Sequence, residues 1–135
     1  MEGDEYDTAF FDKGPKFLHY QPQIAIVTSI EFDHADIFAD LEDIKRSFAR
    51  LMAIMPEDGC VVACFDSPVV REIAAGAQCP VVGYGMDGQT EWSIRNLAVK
   101  PGATYFDVMH NGMLYGTCRS PMPGRHNALN ALAVI

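Results

Sequence analysis

CVVACFDSPVVREIAAGAQCPVVGY, residues 60–84, carries a complete strand–helix–strand pattern. Cys60 to Phe65 is apolar throughout, which suits a strand buried on both faces. Asp66-Ser67-Pro68 then supplies a turn, a capping hydroxyl and a first helical residue whose φ is already fixed. The helix is predicted to run to about Ala75, and Gln78 to Tyr84 reads as the next strand. Strands joined in this way lie parallel, with a right-handed crossover.

Working upstream, Ile24-Ala25-Ile26-Val27-Thr28 is another apolar run, expected to be covered by helices on each side. Phe17-Leu18-His19-Tyr20 is a further short β-type run. From Asp40 the spacing changes. Leu41, Ile44, Phe48, Leu51, Met52 and Met55 recur at steps of three and four, an amphipathic helix ending before Pro56-Glu57-Asp58-Gly59, with Lys45, Arg46 and Arg50 on its wet face. Downstream of Gly88 the period becomes two. Trp92 to Val99, Thr104 to His110 and Met113 to Cys118 read as an antiparallel unit whose last turn is Asn111-Gly112. A final helix is predicted from near Asn127 to the end. The fold class is therefore α/β: a mostly parallel sheet with flanking helices and a small antiparallel β-insertion beside it.

The 135 residues, 49% hydrophobic and 21% charged, suit one globular domain able to bury a core. A formal charge of -8 repels a phosphate backbone, so nucleic acid is not expected as a partner. The longest apolar runs fall far short of the roughly 20 residues that span a bilayer, and the acidic start is no signal peptide. A soluble, cytoplasmic protein without a membrane partner is expected. Cys60, Cys64, Cys79 and Cys118 include no CxxC pair; Cys60 and Cys64 share a strand face and could hold a metal, but free core cysteines are commoner. The chain opens on a charged motif and stops at Ala133-Val134-Ile135 without a helix cap, as a piece of something longer would.

Three constellations can carry chemistry. Glu2-Gly3-Asp4-Glu5-Tyr6-Asp7 crowds carboxylates that repel unless a cation or solvent relieves them, so it is either a solvated acidic loop or a set of hard ligands for Mg²⁺. Thr28-Ser29-Ile30-Glu31-Phe32-Asp33-His34-Ala35-Asp36 follows a strand end, where α/β proteins bind ligands; its Asp-His pair either ligates a metal or caps a helix. In Gly124-Arg125-His126-Asn127-Ala128-Leu129-Asn130, Asn127 and Asn130 share a helix face and present amides that match a purine edge, unless Asn127 is simply an N-cap. No GxxxxGK[ST], GxGxxG or GxSxG motif occurs. His19 and His110 are assigned no role.

Taken in order, these three motifs resemble the central ATP-binding domain of the Mur ligases, which build the peptide of bacterial peptidoglycan. Glu2-x-Asp4-Glu5-x-Asp7, Thr28-x-Ile30-Glu31-x-Asp33-His34-x-Asp36 and Gly124-Arg125-His126-Asn127-x-x-Asn130-Ala131 are similar to the branch that adds to UDP-N-acetylmuramate. Within it, Glu5-Tyr6-Asp7-x-Ala9-Phe10-Phe11-Asp12-Lys13, Lys16-Phe17, His19-Tyr20 and Glu31 to Phe38 look most like the enzymes that attach L-alanyl-γ-D-glutamyl-meso-diaminopimelate during recycling. The L-alanine-adding ligases share the metal and adenine motifs but differ in that aromatic stretch.

The resemblance implies a P-loop-type fold lacking its phosphate loop. Residues 1–135 would be the central domain fragment of a longer ligase, with the phosphate loop and UDP-sugar domain before Met1 and a Rossmann-like domain after Ile135. It implies ATP and Mg²⁺ as cofactors, with Glu2 and His34 as metal ligands and catalytic residues. Asn127 and Asn130 would contact adenine, with His126 in the same motif. The lactyl carboxylate of UDP-N-acetylmuramate would attack the γ-phosphate, and the murein tripeptide amine would open the resulting acyl phosphate. Some family members carry a carbamylated lysine where Phe48 stands, and a phenyl ring cannot ligate Mg²⁺. The fragment alone is expected to be inactive. The absent phosphate-loop strand is expected to leave an apolar sheet edge that favours self-association. Competing readings are a non-catalytic module of this fold and a metal-dependent phosphohydrolase using Asp33 and His34.

Overall fold

The computed structural model describes residues 16–30, 41–86 and 88–135. Their strands form one sheet of six, ordered as in the sequence: β1 (Ile24–Val27), β2 (Cys60–Cys64), β3 (Val81–Gly85), β4 (Trp92–Lys100), β5 (Ala103–His110) and β6 (Met113–Ser120). The pairs β1–β2, β2–β3 and β3–β4 are parallel, while β4–β5 and β5–β6 are antiparallel. The antiparallel unit thus extends the parallel sheet, joined to it by the short register Tyr84↔Trp92 and Gly85↔Ser93.

Helices α1 (Leu41–Ile54) and α2 (Pro68–Ala74) cover one face of β1–β3, and α3 (Arg125–Leu132) covers the other face over β4–β6. The period of two in the strands decides this division. Val61 and Ala63 of β2 pack with Ile44, Leu51, Met52, Val70 and Ile73, whereas Cys64 packs with Tyr84, Ile94, Phe106, Ala128 and Leu132. Ser67 caps α2 as predicted, its hydroxyl accepting from the Val70 N–H at 3.4 Å with Pro68 at the first helical position. Lys45 ties α1 to α2 by bridging Glu42 and Glu72, and Arg46 pairs with Asp43.

The structure departs from three sequence expectations. Lys16–His19 is a 3-10 helix, not a strand, closed by the Tyr20 N–H on the Phe17 carbonyl at 3.2 Å. A strand needs a neighbour to take its hydrogen bonds, and here burying Phe17 against Phe48, with ring centroids 5.1 Å apart, prevails. Among the described residues β1 is covered on one face only: Val27 is buried, while Ile24 is 65% and Ile26 43% exposed, because α3 lies over β4–β6 and β1 is the edge of the described sheet. The last helix begins at Arg125, two residues before Asn127, and ends at Leu132. Among the described residues no helix is long and apolar enough to cross a membrane.

Candidate functional site

A cleft of about 240 Å³ opens where the parallel strands end. Thr28 and Ser29 follow β1, Asp66 and Ser67 follow β2, and Tyr84 comes from β3; His126, Leu129 and Asn130 of α3 close the opposite side. This is the crevice beyond the carboxyl ends of the strands that α/β folds use for ligands.

The start of α3 is held by groups distant in sequence. Asp66 accepts the Met86 N–H on Oδ1 at 2.9 Å and Arg125 Nη2 on Oδ2 at 3.1 Å. Gly85 makes room for this carboxylate, since a Cβ there would run into Asp66 Oδ1. From below, the fully buried Thr104 hydroxyl donates to the Met122 carbonyl and accepts the Gly124 N–H, each at 3.0 Å. Gly124 is the N-cap, at φ 102° and ψ 161°, and offers no side chain to the free N–H groups of the first turn. His126 and Asn130, four apart, consequently both face the cleft.

Asn127 is not the N-cap. It sits in the first turn, where its Nδ2 donates to the Pro123 carbonyl at 2.8 Å, so one half of its amide is already engaged. Asn130 rather than Asn127 lines the cleft. Glu2 and His34 lie outside the described residues, as do Asp33 and the acidic run at the start. Phe48, on α1, is half-buried against Phe17 at the border of the core, away from the cleft. Among the described residues no three His, Cys, Asp or Glu side chains gather as a metal site, and Cys60, Cys64, Cys79 and Cys118 are all free thiols.

Sequence reasoning assigned no role to Asp66 or Tyr84. Asp66 carried a usable signal in its place directly after a buried strand. Tyr84 carried none, because an aromatic in a strand reads as core. Burial, the Cys64 thiol and the Asp66 carboxylate together push its phenol well above the usual tyrosine range, so it stays protonated.

The description "Mur ligase middle domain" fits residues 12–135. The UDP-N-acetylmuramate–L-alanine ligase of Pelotomaculum thermopropionicum is 38% identical over 135 residues, which cover 99% of this chain and 28% of that protein. The UDP-N-acetylmuramate–L-alanyl-γ-D-glutamyl-meso-2,6-diaminoheptandioate ligase of Haemophilus influenzae is 39% identical, with 100% of this chain and 29% of that protein covered. Among solved structures, the UDP-N-acetylmuramate:L-alanyl-γ-D-glutamyl-meso-diaminopimelate ligase from Neisseria meningitides superposes with a TM-score of 0.84 at 39% identity, over 98% of this chain and 40% of that one. The chain spans less than a third of the length of these two curated relatives. With the family matching nearly its whole length and its fold shared with that crystal structure, the chain belongs to the Mur ligase middle-domain family.

Proposed function

We propose that this chain is the central, nucleotide-binding part of an ATP-dependent carboxylate–amine ligase that joins UDP-N-acetylmuramate to the murein tripeptide in the bacterial cytoplasm. The observation that carries the reading is the placement of His126 and Asn130 of the family's third motif in a cleft with Thr28 and Ser29 of its second. These motifs are 97 residues apart between Ser29 and His126, yet they share one crevice.

The chain's own groups suit a nucleotide. The Asn130 amide offers a donor and an acceptor to a base edge, and a flat base can lie against Leu129. Arg125, fixed by Asp66, adds positive charge at the entrance, and the open N–H groups of α3 favour an anionic neighbour. Glu2 and His34 are the residues proposed to hold Mg²⁺, which when bound offsets negative charge on the transferred phosphoryl group. The carboxylate of the sugar nucleotide attacks that group as ADP departs, and the amine then displaces phosphate from the acyl phosphate and loses a proton to leave the amide. The tripeptide is proposed over L-alanine as acceptor on the aromatic stretch from Ala9 to Tyr20.

Titration calorimetry of MgATP tests this with the present chain and with a form extended upstream through a phosphate loop. Binding by the extended form, and its loss in Asn130→Ala, is expected. Absence of binding by both forms would turn the reading toward a non-catalytic module. In the extended ligase with its other domains, amide formation from the tripeptide should exceed that from L-alanine.

A further inference from the structure

Tyr84 is 1% exposed, and its hydroxyl finds no hydrogen-bond partner among the described residues. Other buried hydroxyls of the fold are satisfied: Thr104 bonds the Met122 carbonyl, Thr90 the Trp92 carbonyl, and Ser120 accepts the Met122 N–H. The Cys64 thiol beside Tyr84 is a weak partner. A buried, unpaired hydroxyl is a net loss to the folded state, and native structures contain few of them. Packing does not require it, because a phenylalanine ring would fill the same space between β3 and α3.

The location of the group supplies a reason. Tyr84 is in register with Cys64 across the parallel pair and faces α3. It lines the same cleft as Asp66, His126 and Asn130, so its phenol approaches from the sheet while the Asn130 amide approaches from the helix. The Asp66 carboxylate is already engaged by Met86 and Arg125. The phenol is therefore left for whatever enters the cleft.

We propose that Tyr84 is a specificity-determining residue whose hydroxyl donates a hydrogen bond to a ring nitrogen of a purine base seated in the cleft beside Asn130. The inference rests on the nucleotide reading given above. It adds a base-reading group from β3 to those of α3, and it explains why the fold tolerates an unsatisfied phenol in the free state.

The test uses adenosine, whose binding does not depend on phosphate contacts. The chain, its Tyr84→Phe variant and its Asn130→Ala variant are titrated by NMR at millimolar nucleoside, and the free forms are compared by thermal unfolding. Tyr84→Phe should be at least as stable as the parent and bind adenosine about tenfold more weakly, the loss of one hydrogen bond. Equal adenosine affinity in Tyr84→Phe, with binding lost in Asn130→Ala, would overturn the role of Tyr84 and leave the nucleotide reading intact. A free Tyr84→Phe less stable than the parent would also overturn it, by showing that the hydroxyl is satisfied within the fold. No response to adenosine at cleft residues of the parent chain would overturn the role of Tyr84, while the nucleotide reading would still stand or fall on the extended form.

Discussion

Asp107 illustrates how a single half-buried residue can hold an irregular piece of sheet. Its carboxylate accepts from Asn96 Nδ2 at 2.7 Å and from Thr117 Oγ1 at 2.8 Å, so it clasps β4 and β6 from the strand between them. Asn96 lies at φ 52°, in the register shift between Arg95 and Ala98, where the ladder is interrupted. The Asn96 amide, followed by the Thr117 hydroxyl, holds the Asp107 carboxyl below its ordinary value of 3.8. A lowered folded-state pKa gives stability that is fully present above the unfolded value and is lost as pH falls through the folded one. The parent chain should accordingly lose its advantage over Asp107→Asn as pH drops below about 4, as measured by melting temperature against pH. A difference that stayed constant down to pH 2 would sink this account.

Among the elements, α3 depends most on partners remote in sequence. Its eight residues are too short to be stable alone, so its position is set by Ala128 and Leu132 packing on the sheet and by the contacts at its start. Thr104 is the central one of these, since it bonds both the Met122 carbonyl and the Gly124 N–H from a fully buried site. Thr104→Val keeps the shape but strands both groups, and should cost about 1–3 kcal/mol in denaturant unfolding. The same substitution should weaken adenosine binding, because His126 and Asn130 ride on the helix it anchors. Unchanged stability would mean that the loop from Pro121 to Gly124 is held by something else.

For the molecule as a whole, the sheet is unevenly protected. The sheet face under α1 and α2 buries Val27, Val61 and Ala63, yet Ile24 and Ile26 present an apolar face at the β1 edge of the described sheet. An apolar sheet edge of this kind favours pairing between copies. Sedimentation of the chain should show concentration-dependent association that is reduced by Ile24→Lys with Ile26→Lys. A concentration-independent monomer would remove the basis for expecting self-association.

What the sequence determined by itself was local or periodic. The apolar run from Cys60 to Phe65, the Ser67-Pro68 helix start and the three-and-four spacing of α1 name their own structures, because each needs only its immediate neighbours along the chain. The Asn111-Gly112 turn is equally self-contained, with both residues at positive φ as a tight hairpin demands. The third motif was legible as chemistry, and the structure seats two of its members, His126 and Asn130, in the cleft. Tertiary structure alone decided the rest. Phe17 to Tyr20 could not become a strand without a partner, and which strand β4 joins is a choice among distant hydrogen-bonding edges. The Asp66–Arg125 pair spans 59 residues, and the isolation of the Tyr84 hydroxyl is a property of everything packed around it. Periodicity records which face a residue shows, but only the folded chain records what that face meets.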